Sequence, residues 1–266
     1  MLKSIAIFLL LTLPICANAV DDTLELAKKS QNPVEKMVSI PFNTNFNMGY
    51  GSRDNTQIIL DLKPVIPFSL NESWNLITRT IIPITHQPNL LPNNGSAYIN
   101  GIGDILPTVF LSPAHPGPII WGAGPAVSFP TASNKQLGFG KYCAGPSLVF
   151  LAMPQQWVVG VLAFNVWSFA GETNRPSVNT FELQYFINYN FPHGWYLTSQ
   201  PIITSDWTAT SNNRWTIPVG IGGGRVFSLG KQPLSVSLQA YDNIKTPGTL
   251  GPNWQFQFNV TLLYPE

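Results

Sequence analysis

Alternating polar and apolar residues are clearest near the end of the chain. In residues 254–264 the even positions carry Trp, Phe, Val, Leu and Tyr, whereas the odd positions carry Gln, Asn and Thr up to residue 261. Because successive strand side chains point to opposite faces, this segment predicts a strand with one apolar and one polar face. Its length suits a bilayer-spanning strand, which needs about 9 to 11 residues. A lone strand in lipid leaves its backbone groups unpaired, so the segment predicts a closed barrel.

Similar segments recur from residue 41 onward, and they predict about twelve strands. The predicted strands span residues 42–50, 56–68, 74–84, 104–111, 119–129, 142–151, 157–169, 179–191, 195–207, 215–227, 234–242 and 254–264. The gaps between them are alternately short and long, as in outer-membrane barrels with short periplasmic turns and long extracellular loops. The predicted fold is all-β: a transmembrane antiparallel up-and-down β-barrel of about 12 strands, with a short N-terminal helical lead-in.

Aromatic residues cluster near the predicted strand ends, where a barrel crosses the two membrane interfaces. The short-turn side carries Phe68, Trp74, Phe110, Phe150, Trp157, Phe191, Trp195, Phe227 and Tyr264. The long-loop side carries Tyr50, Tyr142, Trp167, Trp207, Trp215, Tyr241 and Trp254. Prolines within the strands remove ladder hydrogen bonds and predict bulges or breaks, at Pro64, Pro83, Pro107, Pro125, Pro146, Pro201 and Pro218.

The N-terminal part has a different pattern. Residues 1–19 combine Lys3, an apolar run and a small-residue cleavage site at Ala17-Asn18-Ala19, which predicts a signal peptide and export. Residues 20–38 form a predicted periplasmic lead-in, helical over residues 22–31. Two interpretations of it are open: a plug in the barrel mouth, or a solvated tail. The barrel domain is expected over residues 39–266.

Charged residues make up 10% of the chain, against about 25% in soluble proteins. Removal of the signal peptide takes away Lys3 and leaves 13 basic and 13 acidic side chains. Nothing in this balance indicates nucleic acid as a partner. Only Cys143 remains after cleavage, so no internal disulfide is expected.

Charges in the middle of a strand are expected to face the lumen, because a cation at the centre of the lipid face costs about 2–4 kcal/mol. Since alternate residues of a strand point to opposite faces, the residues expected to line the lumen are Asp61, Lys63, Arg79, Asp104, Glu182 and Gln184. Arg79 and Asp104 lie on neighbouring strands and are candidates for an ion pair, which would either constrict a solute path or fix the strand register. Arg225 is an even number of residues away from Ile221 and Phe227, which places it with them on the lipid face. Either residues 222–224 shift the register, or its side chain snorkels to the interface.

The longest loop, residues 85–103, is expected to cover or narrow the mouth. Its apolar side chains would contact an apolar solute or pack the loop onto the rim, and they are Leu90, Leu91, Ile99 and Ile102. Small residues on the inner face either leave an open passage or allow the strands to bend, at Gly122, Gly124, Gly145, Ser147, Gly220, Gly222 and Gly224.

Signals for catalysis are weak. Some outer-membrane barrels hydrolyse lipids with a histidine and a serine two residues apart, but none of His86, His115 and His193 has a serine at that position. The sequence has no metal cluster, nucleophile elbow or phosphate loop, and the segment 101–104 lacks the strand-to-helix context of a dinucleotide site. We therefore expect no enzyme activity, no cofactor and no metal.

Three segments carry a resemblance to a known family: Asn75-Leu76-Ile77-Thr78-Arg79-Thr80, Gly101-Ile102-Gly103-Asp104 followed by Pro107-Thr108, and Gly194-Trp195-Tyr196-Leu197-Thr198. They resemble a bacterial family of outer-membrane proteins named for the meta-pathway of phenol degradation, some members of which are labelled neuromedin U. The resemblance runs from about Gln31 to the end. It implies a β-barrel that transports small hydrophobic or aromatic compounds, with no catalytic residues. The chain departs from many such barrels by adding Pro265 and Glu266 after Tyr264.

Taken together, these features predict an exported outer-membrane channel for passive passage of small hydrophobic or aromatic solutes. Its expected partners are membrane lipid, lipopolysaccharide, the solute and, through the C-terminal strand, the barrel-assembly machinery. Two alternatives from other classes are a closed structural or surface-binding barrel without transport, and an outer-membrane lipid hydrolase.

Overall fold

The computed structural model describes residues 18–51, 53–90, 97–248 and 250–265 of the 266-residue chain. The described helices are α1 (Asn18–Ser30) and two 3₁₀ turns, Pro192–Gly194 and Ser211–Asn213. The strand segments are β1 (Val38–Tyr50), β2 (Asn55–Leu62), β3 (Val65–Ser69), β4 (Trp74–Pro88), β5 (Tyr98–Ile102), β6 (Leu106–Pro113), β7 (Ile119–Ser128), β8 (Lys141–Ala152), β9 (Trp157–Gly171), β10 (Asn179–Asn190), β11 (Trp195–Ser199), β12 (Ile202–Asp206), β13 (Trp215–Leu229), β14 (Gln232–Lys245) and β15 (Trp254–Tyr264). No helix in these ranges is long and apolar enough to cross a membrane.

The strand segments build one closed antiparallel barrel. β2 and β3 both pair with β1 and β4, β5 and β6 both pair with β4, and β11 and β12 both pair with β10 and β13. Each of these couples is one interrupted strand, so the wall has twelve strands. β1 and β15 close the wall by pairing from Val38↔Tyr264 to Met48↔Trp254. The predicted fold class and strand number are confirmed.

Two of the three interruptions fall at prolines, as the sequence predicts. Pro64 separates β2 from β3, and its carbonyl accepts a hydrogen bond from Thr80 N at 3.1 Å. Pro201 separates β11 from β12, and there Gln200 N donates to the Tyr241 hydroxyl at 2.9 Å. Proline has no N–H for the ladder, so the strand breaks there and neighbouring groups satisfy the backbone atoms left over.

Other prolines stay inside strands and disturb the ladder locally. The register of β13 and β14 shifts between Ile217 and Pro218, which is the predicted kind of irregularity. Pro125 and Pro146 lie opposite each other in β7 and β8. On the far side of Pro146, no residue pair is registered between Ala144↔Trp167 and Ser147↔Phe164. Because proline has no N–H to donate, this part of the ladder has fewer hydrogen bonds, but the neighbouring strands stay paired on both sides of it.

The wall has an apolar outer face and a lumen face that carries most of the polar residues. Large exposed side chains of the outer face include aromatic residues at both ends, at Phe68, Trp157, Trp195 and Tyr264 on the short-turn end and at Tyr142, Trp167, Trp207 and Trp254 on the long-loop end. Phe110 and Tyr241 were predicted to lie at the membrane interfaces, and this prediction is wrong because both side chains are fully buried. They share the inward parity of their buried polar neighbours Thr108 and Gln239 and fill the lumen.

The register at residues 222–224 is regular, from Gly222↔Gln239 to Gly224↔Ser237, so the register-shift explanation for Arg225 is wrong. Arg225 lies on the outer face, opposite Trp195. Its guanidinium lies 5.1 Å from the centre of the Trp195 ring, and its Nε donates to the His193 carbonyl at 3.3 Å. The side chain thus reaches the short-turn end of the wall, where an interfacial cation is tolerated.

The chain before β1 packs against the short-turn end of the barrel. Helix formation is confirmed, since α1 spans Asn18–Ser30, which covers most of the predicted helix. The predicted signal peptide lies outside the described residues except for its last two, which begin α1. Buried residues of α1 and of the segment after it pack with β11, β13 and β15, through Ala27, Met37, Tyr196, Val226 and Leu263.

The segment after α1 enters the lumen. Gln31 and Asn190 exchange two side-chain hydrogen bonds, 2.8 and 3.0 Å long. Val34 is buried in an apolar cluster with Phe110 and Val149 of the barrel wall. Asn32 Oδ1 accepts a hydrogen bond from Val34 N at 3.0 Å, which shapes the turn that carries Val34 inward.

We expect the lipid face to be sensitive to charge in a depth-dependent way. Leu238, 64% exposed, lies near the middle of β14, and Leu229, 71% exposed, lies at the short-turn end of β13. Leu238→Arg should reduce the free energy of unfolding by about 2–4 kcal/mol and Leu229→Arg by about 0–1 kcal/mol. Guanidinium unfolding in lipid vesicles measures both, and equal losses would contradict the assigned outer face.

Candidate functional site

Four charged side chains from three parts of the wall meet in the lumen. Lys63 Nζ lies 3.1 Å from Asp61 Oδ2. Arg79 extends from β4, and the acids that act on its charge are Glu182 on β10 and Asp61. We call these four residues the charged waist. Two cations and two acids balance each other there, which lowers the cost of holding charges inside the wall.

The predicted ion pair between Arg79 and Asp104 is wrong. The Asp104 carboxylate turns to the loop after β7 and accepts hydrogen bonds from Ala132 N at 3.1 Å and Phe139 N at 2.6 Å. The ion pair was predicted because the two residues lie on neighbouring predicted strands. In the β4–β6 ladder, however, Arg79 lies opposite Thr108. Asp104 lies four residues before Thr108 in the chain, toward the long-loop end. The strand register therefore separates the two side chains.

A loop of residues 129–140 is held in the long-loop end of the barrel. Arg175, from the loop between β9 and β10, donates to the backbone carbonyls of Phe139 at 2.9 Å, Lys135 at 2.8 Å and Gly138. Gln136 receives a hydrogen bond from Leu90 N at 3.0 Å and donates to the Asn89 side chain at 2.9 Å. The sequence pattern did not indicate Arg175 or Gln136, because their partners belong to loops far away in the chain.

The loop predicted to cover the mouth is strand over residues 85–88 and 98–102. β4 continues to Pro88 and β5 begins at Tyr98, so the two form a hairpin that extends the wall. Ile102 pairs with Ile84 and both are exposed, which puts Ile102 on the outer face. Ile99 pairs with the buried Gln87 on the lumen side. Leu90 lies beside the loop of residues 129–140, and Leu91 lies outside the described residues.

The long-loop half of the lumen contains two neighbouring cavities that share Phe139, Glu182, Thr204 and Pro247. One measures about 760 Å³ and is lined by Asp61, Asp104 and Glu182 together with residues of the loop 129–140. The other measures about 560 Å³ and has a more apolar wall that includes Phe164, Val166 and Leu250. We call the two together the outer vestibule.

A smaller inner cavity of about 140 Å³ lies between the waist and the lead-in. Lys63, Arg79 and Gln184 line it from the wall, and Gln31, Asn32 and Pro33 line it from the lead-in. The candidates predicted from parity are thus divided. Three acids line the outer vestibule, whereas both cations and Gln184 line the inner cavity.

The lumen wall is chemically divided around its circumference. Polar side chains cover the part formed by β1, β2, β14 and β15, where Asn47 is hydrogen-bonded to Gln57 at 2.9 Å, and Gln57 to Gln87 of β4 at 2.7 Å. Apolar side chains are concentrated between β4 and β10, where Ile77, Phe110, Val149 and Val158 are interspersed with buried polar residues such as Thr108 and Ser147. At Gly122 an added Cβ would lie 3.2 Å from both Phe110 and Val149. The space beside this glycine is therefore occupied by its neighbours.

The His86 ring is partnered by an amide and an aromatic ring. His86 Nδ1 lies 2.5 Å from Asn100 Oδ1, and the His86 ring stacks on Tyr98 at 4.7 Å between centroids. Among the described residues no group of His, Cys, Asp and Glu is arranged to hold a metal ion.

The barrel is similar to solved membrane barrels. An outer membrane channel from Pseudomonas putida F1 superimposes with a TM-score of 0.63 at 13% identity, covering 86% of this chain and 94% of that one. The NanC porin superimposes with a TM-score of 0.55 at 8% identity, covering 85% and 100%. No protein-family model matches the chain, and no curated protein matches it in sequence. At these identities the likeness concerns the fold, which is that of an outer-membrane β-barrel.

We expect the Arg175→Ala substitution to release the loop of residues 129–140. It removes three hydrogen bonds from a charged donor, each worth about 1.5–3 kcal/mol. Trypsin should then cleave after Lys135 several-fold faster, as followed by mass spectrometry of the digested barrel. Arg53→Ala, in the exposed turn between β1 and β2, is the matched control and should leave this cleavage rate unchanged. An unchanged rate in Arg175→Ala would contradict the role of Arg175.

Proposed function

We propose that the protein is an outer-membrane channel through which small solutes pass without energy input. The observation that carries the proposal is the sequence of spaces along the lumen: an outer vestibule, the charged waist and an inner cavity. A barrel packed only for stability would fill this length with side chains. The solved barrels that it resembles include a channel and a porin, which supports a channel rather than an enzyme.

The division of the lumen wall supports a solute with an apolar part. Phe164 and Val166 line the apolar side of the outer vestibule, whereas Glu182 and Asp206 provide polar groups in the same cavity. A pocket with an apolar lining and a few polar groups binds small organic molecules better than ions alone. This agrees with the hydrophobic or aromatic solutes that the family resemblance implies.

The lead-in, residues 20–38, acts in this proposal as a plug at the periplasmic mouth. Its attachment combines the Gln31–Asn190 amide pair with burial of Val34. The inner cavity has the lead-in as its floor. Displacement of this short segment would connect the cavity to the periplasm, and the amide pair can exchange its hydrogen bonds for water at a small net cost.

A closed barrel without transport is the second candidate. Complete burial of Ile77, Phe110 and Val149 favours it, because these side chains occupy the lumen beside the lead-in. In that case Val34 and its neighbours would serve as a core, and the outer vestibule would be a surface cavity. Conductance distinguishes the two candidates directly.

The localisation and partners follow from the channel proposal. Residues 1–19 would direct export and be removed, and the mature chain would reside in the outer membrane, with lipopolysaccharide around the long-loop end. Assembly would use β15, whose outer face is apolar and ends in Tyr264. No catalytic function is proposed.

Single-channel recording in planar bilayers tests the proposal. We expect the mature full-length chain to give small steps that scale with salt concentration, and a variant lacking residues 20–36 to give larger steps, because β1 (Val38–Tyr50) remains intact while the floor of the inner cavity is removed. Gln31→Ala is a milder version that removes only the amide pair with Asn190, and it should increase the frequency of large steps.

The control for these recordings is Asn71→Ala, which alters a turn outside the lumen and should leave the conductance unchanged. Folding of each variant is checked by its heat-dependent shift in gel mobility. Silence of both the full-length and the truncated chain, with folding verified, would overturn the channel and leave the closed barrel.

A further inference from the structure

The inner cavity contains a buried cation whose hydrogen-bonding capacity is not used. Arg79 is 6% exposed, and its Nη1 has no hydrogen-bond partner among the described residues. A buried charged donor without an acceptor costs several times more than a neutral one, so such a group calls for an acceptor. Arg79 lines the inner cavity, which is the space where that acceptor can lie.

The acids of the waist do not supply this acceptor. Asp61 is engaged by Lys63 at 3.1 Å and by the Asn45 amide at 3.4 Å. Glu182 lines the outer vestibule and not the inner cavity. Among the described residues no carboxylate forms an ion pair with Arg79, although the charge of Glu182 acts on it. The Arg79 donors therefore face a cavity without a carboxylate of the protein.

Lys63 gives the inner cavity a second cation, and amide side chains complete its polar wall. Lys63 and Arg79 both line it, together with Gln184, Gln200 and Gln239. Arginine and lysine bind carboxylates through charge-assisted hydrogen bonds, and amide N–H groups add neutral donors. An entering cation would instead meet the Arg79 charge, which has no ion-pair partner among the described residues, beside the Lys63–Asp61 pair. The lining therefore favours an anion.

The same cavity also has apolar lining residues, Val65 beside Arg79 in the ladder and Leu162 and Phe186 on β9 and β10. A simple inorganic anion would leave these side chains in contact with water. An organic acid would place its carboxylate on Arg79 and Lys63 and its hydrocarbon part against Phe186, so that the polar and the apolar lining are both used. The volume of about 140 Å³ limits the bound group to a small one.

We propose that the inner cavity is a binding site for the carboxylate of a small organic acid, with Arg79 and Lys63 as its anion-binding residues. This proposal rests on the channel function proposed above, and it names the chemical class of solute that the channel would hold between the waist and the lead-in. The outer vestibule is lined by four acids and Arg214, whereas the inner cavity is lined by Lys63 and Arg79 without an acid, so the two spaces differ in the sign of their charge.

The test is equilibrium binding of benzoate, with benzyl alcohol as a neutral probe of the same ring size. Isothermal titration of the refolded mature barrel in detergent, corrected for empty micelles, should detect benzoate binding and much weaker binding of benzyl alcohol. Arg79→Gln should weaken benzoate binding by about tenfold or more, since it removes a charge-assisted hydrogen bond. Arg79→Lys, which keeps the charge, should retain part of the affinity.

Arg225→Gln is the matched control, because it removes an arginine from the outer face and should leave benzoate binding unchanged. Lys63→Gln provides a second loss variant if Arg79→Gln fails to refold. Absence of benzoate binding, equal binding of benzyl alcohol, or equal affinity in the Arg79 and Arg225 variants would overturn the carboxylate site. Binding is measured without current, so this result is independent of whether the channel itself conducts.

Discussion

The whole structure depends on pairing the first strand with the last. In lipid no water can satisfy a free backbone group, so a wall of strands is stable only when it has no open edge. The β1–β15 ladder, from Val38↔Tyr264 to Met48↔Trp254, meets this constraint. It also brings the lead-in, which is covalently attached to β1, to the short-turn end of the barrel. The position of the plug-like segment is therefore a consequence of how the wall closes.

The same constraint explains how the wall accommodates its prolines. Each one removes a donor, and the remaining acceptors and amides find partners elsewhere, as at Pro64 with Thr80 and at the Pro201 break with Tyr241. Tyr241 needs to point inward for this purpose. Tyr241, although it is an aromatic residue near a strand end, therefore forms a hydrogen bond inside the lumen and does not lie at the membrane interface.

Electrostatics orders the lumen along its length. Charges that would be costly on the lipid face were placed inside, where Asp61, Lys63, Arg79 and Glu182 balance one another at the waist. Their distribution is uneven, since Asp61 and Glu182 line the outer vestibule and Lys63 and Arg79 line the inner cavity. Asp104 and Arg175 serve a different purpose, because they hold the loop of residues 129–140 in the mouth. The lumen is thus organised by a few buried charges.

The sequence by itself determined the fold class, the number of strands and the face on which most charges lie. These properties follow from a period of two in each segment, which is local information. It also located the breaks at Pro64 and Pro201, because a missing N–H is a property of one residue. Only the tertiary structure decided that Asp104 contacts the loop of residues 129–140 and not Arg79, and that Val34 enters the lumen. Those contacts depend on the stagger between strands and on loops far apart in the chain, which alternation along a single segment does not encode.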